Sequence, residues 1–271
     1  MAHELQDKVA LVTGGSKGIG LAVARRFAAE GARVGIVSRS AEHLAAARDA
    51  LAREGLAVET AAADLSDPAQ AEDAVARLEA ALGSVDILVN SAGAARRAEP
   101  EDLDPARWRA ALDAKFFPYI HAQHVVLQRL GARARTEDDG LPAPNGAIVN
   151  IIGTGGKQPT RTHLAGGSAN AALLLSTVGL AAHYARQGIR INAINPGFTL
   201  TERVHQFVEL EAARLGISQQ EALRRNEAEI PLGRFGRPEE VAEVALFLAS
   251  ERASYLAGVV IPMNGGGQPV I

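Results

Sequence analysis

The stretch TGGSKGIG, residues 13–20, decides how this chain folds. It follows the apolar run Val9-Ala10-Leu11-Val12, which predicts a buried strand, and it opens a predicted helix that continues to about Glu30. Glycines let the backbone turn tightly and approach a ligand, and free N–H groups at a helix start attract negative charge. The stretch therefore predicts a phosphate site. Its glycine spacing is GxxxGxG rather than GxGxxG, so the stretch alone identifies no family.

Strand and helix signals alternate along the rest of the chain. Further strands are predicted at 33–38, 58–63, 85–90, 147–152, 189–195 and 258–262, and further helices begin near 41, 68, 105, 163 and 238. Repeated strand–helix units need right-handed crossovers, which place helices on both faces of a parallel sheet. The sequence thus predicts an α/β fold with a doubly wound sheet of about seven strands and a ligand crevice at the strands' carboxyl ends.

Two stretches depart from this alternation. Residues 131–145 are polar and contain two prolines, so we expect an exposed loop there. Residues 201–230 are charged and helical in pattern, and we expect them to form a small helical lid. Because no long Pro/Gly/Ser linker divides the chain, we expect a single domain over 1–271.

Composition narrows the function classes. The net charge of −3 gives no reason to expect a nucleic-acid partner or an anionic membrane. The absence of cysteine excludes disulfides and thiolate metal sites, and the seven scattered histidines predict no metal site. The first residues lack a signal-peptide pattern, and no uninterrupted apolar run reaches the roughly 18–20 residues of a membrane span. We therefore expect a cytoplasmic protein.

Several short motifs occur in a fixed order along the chain. They are TGGSKGIG at 13–20, Asp64-Leu65, NSAG at 90–93, NAINPG at 192–197 with Thr201, PLGR at 231–234, RPEEV at 237–241 and NGG at 264–266. By these motifs the chain resembles the short-chain dehydrogenase/reductase family over nearly its whole length. The resemblance implies a Rossmann-type domain that binds a nicotinamide nucleotide and a small-molecule substrate.

The resemblance also assigns cofactor-binding residues. Asp64 is expected to bind the adenine amino group, the NSAG turn to support the sheet beside the cofactor, and Pro196, Gly197 and Thr201 to contact the nicotinamide amide. The full expected set is Gly14, Ser16, Lys17, Gly18, Ile19, Gly20, Ser38, Arg39, Asp64, Leu65, Asn90, Ala92, Gly93, Pro196, Gly197, Phe198 and Thr201.

The choice of cofactor follows from charge. A carboxylate at the end of the second strand would bind the ribose 2′-hydroxyl of NAD and repel a 2′-phosphate. Here Ser38 occupies that position and Arg39 follows it, while Lys17 lies in the glycine loop on the same side. Two cations without a carboxylate suit a dianionic phosphate, so we expect NADP(H) in preference to NAD(H).

The expected catalytic positions carry other residues. Family members usually have a Ser, a Tyr thirteen residues later, a Lys four residues after that, and an Asn on the preceding long helix. Alignment places Gly153, Gly166, Asn170 and Lys115 at these four positions. A shift of register does not restore them, because no tyrosine in the chain is followed by a lysine four residues later. The chain is therefore identified as an atypical member that lacks the usual proton donor.

Three functions stay open at this point. The first is a redox enzyme in which Lys115 stabilises a developing oxyanion and His163 supplies a proton, with Thr154 or Lys157 binding substrate. Such a site would suit a carbonyl or a conjugated C=C substrate. The second is a catalytically inactive module that binds NADP(H). The third is a non-redox lyase or isomerase on the same fold.

The resemblance also implies a homo-oligomer, a tetramer or a dimer. The two longest predicted helices, at 105–130 and 163–187, form the usual dimer surface in the family. Small residues such as those at 169–172 would let helices approach closely.

Overall fold

A parallel sheet forms the centre of the molecule in the computed structural model, which describes residues 4–93, 96–133, 137–138 and 141–267. The strands are β1 (Val9–Thr13), β2 (Arg33–Ser38), β3 (Val58–Ala62), β4 (Ile87–Asn90), β5 (Glu137–Asp138), β6 (Leu141–Pro142), β7 (Gly146–Ile151), β8 (Ile189–Pro196) and β9 (Val260–Met263). Seven of them form one sheet in the order β3-β2-β1-β4-β7-β8-β9, and every pairing in it is parallel. The predicted doubly wound fold is confirmed.

Eight α-helices lie within the described residues. They are α1 (Gly18–Ala29), α2 (Ala41–Arg53), α3 (Pro68–Leu82), α4 (Pro105–Gly131), α5 (Leu164–Tyr184), α6 (Glu202–Leu215), α7 (Gln219–Ala228) and α8 (Pro238–Ala249). Side-chain caps fix several starts: Ser40 accepts the His43 N–H at 3.1 Å and Asp67 accepts the Ala69 N–H at 2.9 Å. Local sequence signals therefore set these helix boundaries.

The two faces of the sheet bury separate apolar clusters. On one face Ala10 and Val12 of β1 belong to a cluster with Phe27 of α1 and Leu246 of α8. On the other face Val9 and Leu11 join a cluster formed by α3, α4 and the end of α5. Because successive residues of a strand point to opposite faces, one apolar run serves both cores.

The segment between α4 and β7 differs from its prediction. We expected an exposed loop over 131–145, of which 134–136 and 139–140 lie outside the described residues. In the described part α4 extends through Gly131, and β5 and β6 pair antiparallel. The sequence carries Asp-Gly at 139–140, a dipeptide typical of tight hairpin turns, between these two strands.

Helices α6 and α7 occupy the stretch predicted as a lid. Together with the following segment they have their own apolar cluster, which contains Val208, Ala212, Ala222 and Phe235. This cluster is separate from the two that cover the sheet, so the helix pair packs as a unit over the carboxyl edge.

One stretch is long and apolar enough to cross a membrane by length and composition alone. It is Arg161–Gln187, which includes α5 and has a mean hydropathy of 1.4 over 18 residues. Half of that window is buried inside the fold, where α5 packs on α4 and β8. A core helix passes the same test, so the pattern is weak evidence for a span.

Candidate active site

A cleft of about 890 Å³ opens at the carboxyl ends of the strands, between the sheet and the helix pair α6–α7. It brings together many of the residues predicted from the sequence. Its lining includes Gly14, Lys17, Gly18, Ile19, Gly93, Lys115, Gly153, His163, Asn170, Pro196, Gly197, Phe198 and Thr201. This location is the crevice expected for a doubly wound sheet.

The glycine turn between β1 and α1 forms one end of the cleft. Gly14 and Gly18 have φ values of 67° and 54°, which favour glycine. A Cβ on Gly20 would lie 2.3 Å from the Gly14 carbonyl oxygen, so α1 can approach the turn only with glycine there. The predicted strand–turn–helix geometry is thus present.

A buried polar network supports this end of the cleft. The Thr13 hydroxyl accepts the backbone N–H groups of Ser91 and Ala92 at 3.1 and 3.3 Å. Asn90 donates to the side chain of Asn150 on the neighbouring strand at 3.0 Å. The Asn90 side chain is fully buried and joins β4 to β7, and Asn90 is not among the residues that line the cleft.

The residues predicted to surround the 2′ end of the cofactor lie close together. The Ser16 and Ser38 hydroxyls are 3.0 Å apart, joining the glycine turn to the end of β2. Hydrogen bonds from the backbone N–H and hydroxyl of Ser66 lower the pKa of Asp64, and the positive charge of Arg39 lowers it further. Asp64 is therefore a stable anion beside Arg39, and Leu65 after it is buried in the core.

The expectation of two cations without a carboxylate is wrong for Lys17. Its ammonium lies 3.2 Å from a carboxylate oxygen of Glu202, the first residue of α6. The pair connects two segments 185 residues apart in sequence, so no local pattern showed it. Both side chains are about half exposed or more, and such pairs contribute only about 0–1 kcal/mol, so a phosphate can compete for Lys17.

Lys115 lies on α4 and is 7 % exposed. Its ammonium donates to the Tyr119 hydroxyl at 2.7 Å and to the Ile151 carbonyl at 3.4 Å, and the Tyr119 hydroxyl donates to the same carbonyl. The ammonium is therefore held at the end of β7 rather than projecting freely into the cleft that it lines. Residues four apart on a helix are neighbours, so the sequence contained a signal for Tyr119 that we missed.

All three tyrosines fall within the described residues, and none of Tyr119, Tyr184 and Tyr255 lines the cleft. Tyr119 is 1 % exposed and packs with Ile152, Leu173 and Ala193 beneath the site. The position aligned with the usual tyrosine, Gly166, is buried in α5.

His163 precedes α5 and lines the cleft with Thr154 and Thr160. A Cβ on Gly155 would lie 2.9 Å from the His163 ring, so glycine at 155 leaves the room that the imidazole occupies. Asn170, aligned with the usual lysine, also lines the cleft, and its Oδ1 is buried with no hydrogen-bond partner among the described residues. Lys157 is exposed and lies outside the lining.

The far wall of the cleft combines Phe198, an expected cofactor contact, with Phe207, Arg97, Asn226 and Glu229, which the sequence did not suggest. Phe198 and Phe207 stack with ring centroids 5.6 Å apart, and the Arg97 guanidinium lies 5.6 Å from the Phe207 ring centre. Asn226 and Glu229 of the α7 region complete this side. In the part of the chain that the structure describes, no group of three or more His, Cys, Asp or Glu residues could hold a metal ion.

Comparisons with known proteins agree with this architecture. A family model described as enoyl-(acyl carrier protein) reductase matches residues 14–268. D-beta-hydroxybutyrate dehydrogenase of Cupriavidus necator is 34 % identical to this chain, over 97 % of this chain and 98 % of the relative.

Two solved structures are also similar. L-sorbose reductase from Gluconobacter frateurii, complexed with NADPH and L-sorbose, is 29 % identical with a TM-score of 0.90 and full coverage of both chains. An NADPH-bound short chain oxidoreductase from Pseudomonas aeruginosa PAO1, described as containing an atypical catalytic center, is 32 % identical with a TM-score of 0.87, covering 99 % of this chain and all of that one. With a family model that spans nearly the whole chain and full-length relatives, this chain belongs to the short-chain dehydrogenase/reductase family.

Proposed function

We propose that this protein is an NADP(H)-dependent oxidoreductase with a non-standard active site, which acts on a small organic carbonyl or conjugated substrate. The observation that carries this proposal is the placement of the buried Lys115 ammonium and the His163 imidazole in the same cleft as the glycine turn. The cleft thus unites a nucleotide cradle with groups that can stabilise and protonate an oxyanion.

The NADP(H) prediction is confirmed by relatives that bind this cofactor. The residues present fit it: the glycine turn leaves space for a pyrophosphate, and the joined Ser16 and Ser38 hydroxyls offer hydrogen bonds without negative charge. Asn170 lines the cleft at the position aligned with the lysine that holds the ribose in the family, and we propose that it contacts the ribose. When bound, NADPH supplies a hydride.

Lys115 is proposed to stabilise negative charge on the substrate oxygen through its Nζ. Its tether to Tyr119 and the Ile151 carbonyl fixes the ammonium before substrate arrives, and preorganised charge needs no reorganisation during the reaction. His163 is proposed to deliver the proton, because an imidazole exchanges protons near neutral pH. Phe198 and Phe207 give this side of the cleft an apolar, aromatic surface.

Two further observations support the non-standard chemistry. The aligned positions Gly153 and Gly166 have no side chain that could donate a proton. The solved relative from Pseudomonas aeruginosa is itself described as having an atypical catalytic center.

We also propose that residues 1–271 form one domain and that α6 and α7 act as a substrate lid, because they cover the cleft from one side.

The proposal is tested by titrating the purified protein with NADPH and NADH and then screening enones, ketones and imines for cofactor oxidation. We expect NADPH binding and turnover of at least one of these substrate classes. Tight NADPH binding without any turnover would instead favour an inactive binding module. Failure to bind either nucleotide would favour a non-redox lyase or isomerase.

Replacing Ser38 by aspartate should reverse the cofactor preference. The new carboxylate would lie beside the Ser16 hydroxyl and repel a 2′-phosphate, while it could accept hydrogen bonds from a 2′,3′-diol. We expect the ratio of NADPH to NADH affinity, measured by fluorescence titration, to fall about 100-fold. Ser40→Asp is the matched control, because Ser40 caps α2 and aspartate caps equally well. An unchanged ratio in Ser38→Asp would contradict the assignment.

Exposed apolar side chains on α5 support the predicted homo-oligomer. Leu175 and Val178 are 77 % and 46 % exposed on this helix, at the surface where we expect the dimer contact. Leu175→Glu should therefore lower the mass of the particle in solution, measured by light scattering. Leu210→Glu, at a leucine of α6 that is 72 % exposed, should leave the mass unchanged. A monomeric parent protein would refute the prediction.

The cytoplasmic location stays a prediction.

A further inference from the structure

Arg97 is a cation in the cleft for which the proposed reaction has no use. Its side chain forms part of the lining, and one guanidinium N–H donates to the Thr162 hydroxyl at 3.1 Å. The same group lies over the Phe207 ring, which connects it to α6. The guanidinium is therefore held by one hydroxyl and one aromatic face.

No carboxylate of the described residues lies within 4.0 Å of the Arg97 guanidinium. Other Lys and Arg side chains of the described residues form fifteen ion pairs with carboxylates. Arg97 is an exposed residue of the cleft lining, and partial burial of its guanidinium lowers its pKa. A partly desolvated charge costs free energy unless an opposite charge or strong hydrogen bonds compensate for it. The Phe207 ring supplies cation–π attraction, which replaces only part of that loss.

The other charges of the cleft favour an anion at this end. Of the two carboxylates in the lining, Glu202 is already paired with Lys17, and Glu229 is exposed at the end of α7. With Lys17, Arg97 and Lys115, the lining holds three Lys and Arg side chains against these two carboxylates. A guanidinium presents up to five N–H donors in a planar arrangement that matches a carboxylate, and Thr162 takes one of them.

From this arrangement we propose that Arg97 binds the carboxylate of an anionic substrate, so that the enzyme acts on small oxo acids in preference to neutral ketones. This inference rests on the proposed function and adds to it the chemical class of the substrate. The carboxylate would be bound by Arg97, whose guanidinium is held in place by Thr162, while the carbonyl group faces Lys115.

The test compares acids with their neutral esters. Protein saturated with NADP⁺ is titrated by calorimetry with 2-oxobutanoate, 3-oxobutanoate and 4-oxopentanoate, and with the methyl ester of each. We expect at least one acid to bind about tenfold tighter than its ester, because a hydrogen-bonded charge pair is lost in the ester. In Arg97→Ala the acid and its ester should bind with affinities within about twofold of each other. Arg97→Lys should keep part of the preference for the acid.

Arg96→Ala is the matched control, since Arg96 is exposed, adjacent in sequence and outside the cleft lining. It should keep the acid-to-ester ratio of the parent protein. If no acid is preferred by the parent, or if Arg97→Ala keeps the preference, the proposal is overturned, and Arg97 only braces α6 through Phe207. NADPH titration of each protein distinguishes failure of the anion site from failure of the proposed function. Normal NADPH binding without a preference for the acid refutes the anion site alone. Absence of NADPH binding refutes the proposed function.

Discussion

Replacing Lys115 by methionine should lower kcat/KM by about 100- to 1000-fold, the loss expected when a preorganised group that stabilises an oxyanion is removed. Methionine is apolar and similar in length to the lysine stem. The packing between α4 and β7 is therefore preserved while the ammonium is lost. The tether to the Tyr119 hydroxyl and the Ile151 carbonyl disappears with it. The measurement is steady-state turnover of the best substrate from the screen, with NADPH affinity followed separately.

The matched control is Lys157→Met, because Lys157 is an exposed lysine near the same cleft but outside its lining. We expect its turnover to stay within about twofold of the parent protein. Tyr119→Phe should give an intermediate loss, since it removes the hydroxyl that holds Lys115 but leaves the charge. Turnover in Lys115→Met equal to that of the control would remove Lys115 from the mechanism.

Replacing Gly20 by alanine should abolish measurable NADPH binding. The added Cβ would lie 2.3 Å from the carbonyl oxygen of Gly14 and 2.8 Å from its carbonyl carbon, so the backbone of the glycine turn must move. That turn presents the N–H groups that receive a pyrophosphate, and small displacements of such a site cost much of its binding. Fluorescence titration with NADPH and a thermal unfolding curve measure the two effects.

Gly131→Ala provides the comparison, because Gly131 ends α4 and a Cβ there would meet only the far end of Gln187 at 3.4 Å. Alanine favours the helix over glycine by about 0.5–1 kcal/mol, so stability should be kept or rise slightly. Full NADPH affinity in Gly20→Ala would show that the turn accommodates a side chain and does not bind the cofactor as proposed.

Most of the fold was predictable because its signals are local. Apolar runs such as 9–12 gave the buried strands, and capping pairs such as Asp67-Pro68 gave the helix starts. The hairpin β5–β6 was missed although Asp-Gly at 139–140 is typical of one, because strands of two residues have no periodicity to detect.

Residues of the site were predictable only where a sequence motif or the spacing of residues along a helix indicated them. The glycine turn and the aligned position of Lys115 came from motifs, and Tyr119 was available four residues further along α4. The Lys17–Glu202 pair and the contact of Arg97 with Phe207 join distant segments, so only the folded chain shows them. Likewise, Asn90 meets Asn150 because of the register between β4 and β7, which the sequence does not specify.

The position of β4 inside the sheet has a consequence for how the chain is made on the ribosome. Residues up to Asn90 complete four adjacent strands, but the next partner of β4 ends only at Ile151, about 60 residues later. At ~5–20 residues per second, that edge stays without its neighbour for about 3–12 s during synthesis. The nascent first third of the chain therefore presents an open apolar strand edge, to which chaperones or other unfolded chains would bind first.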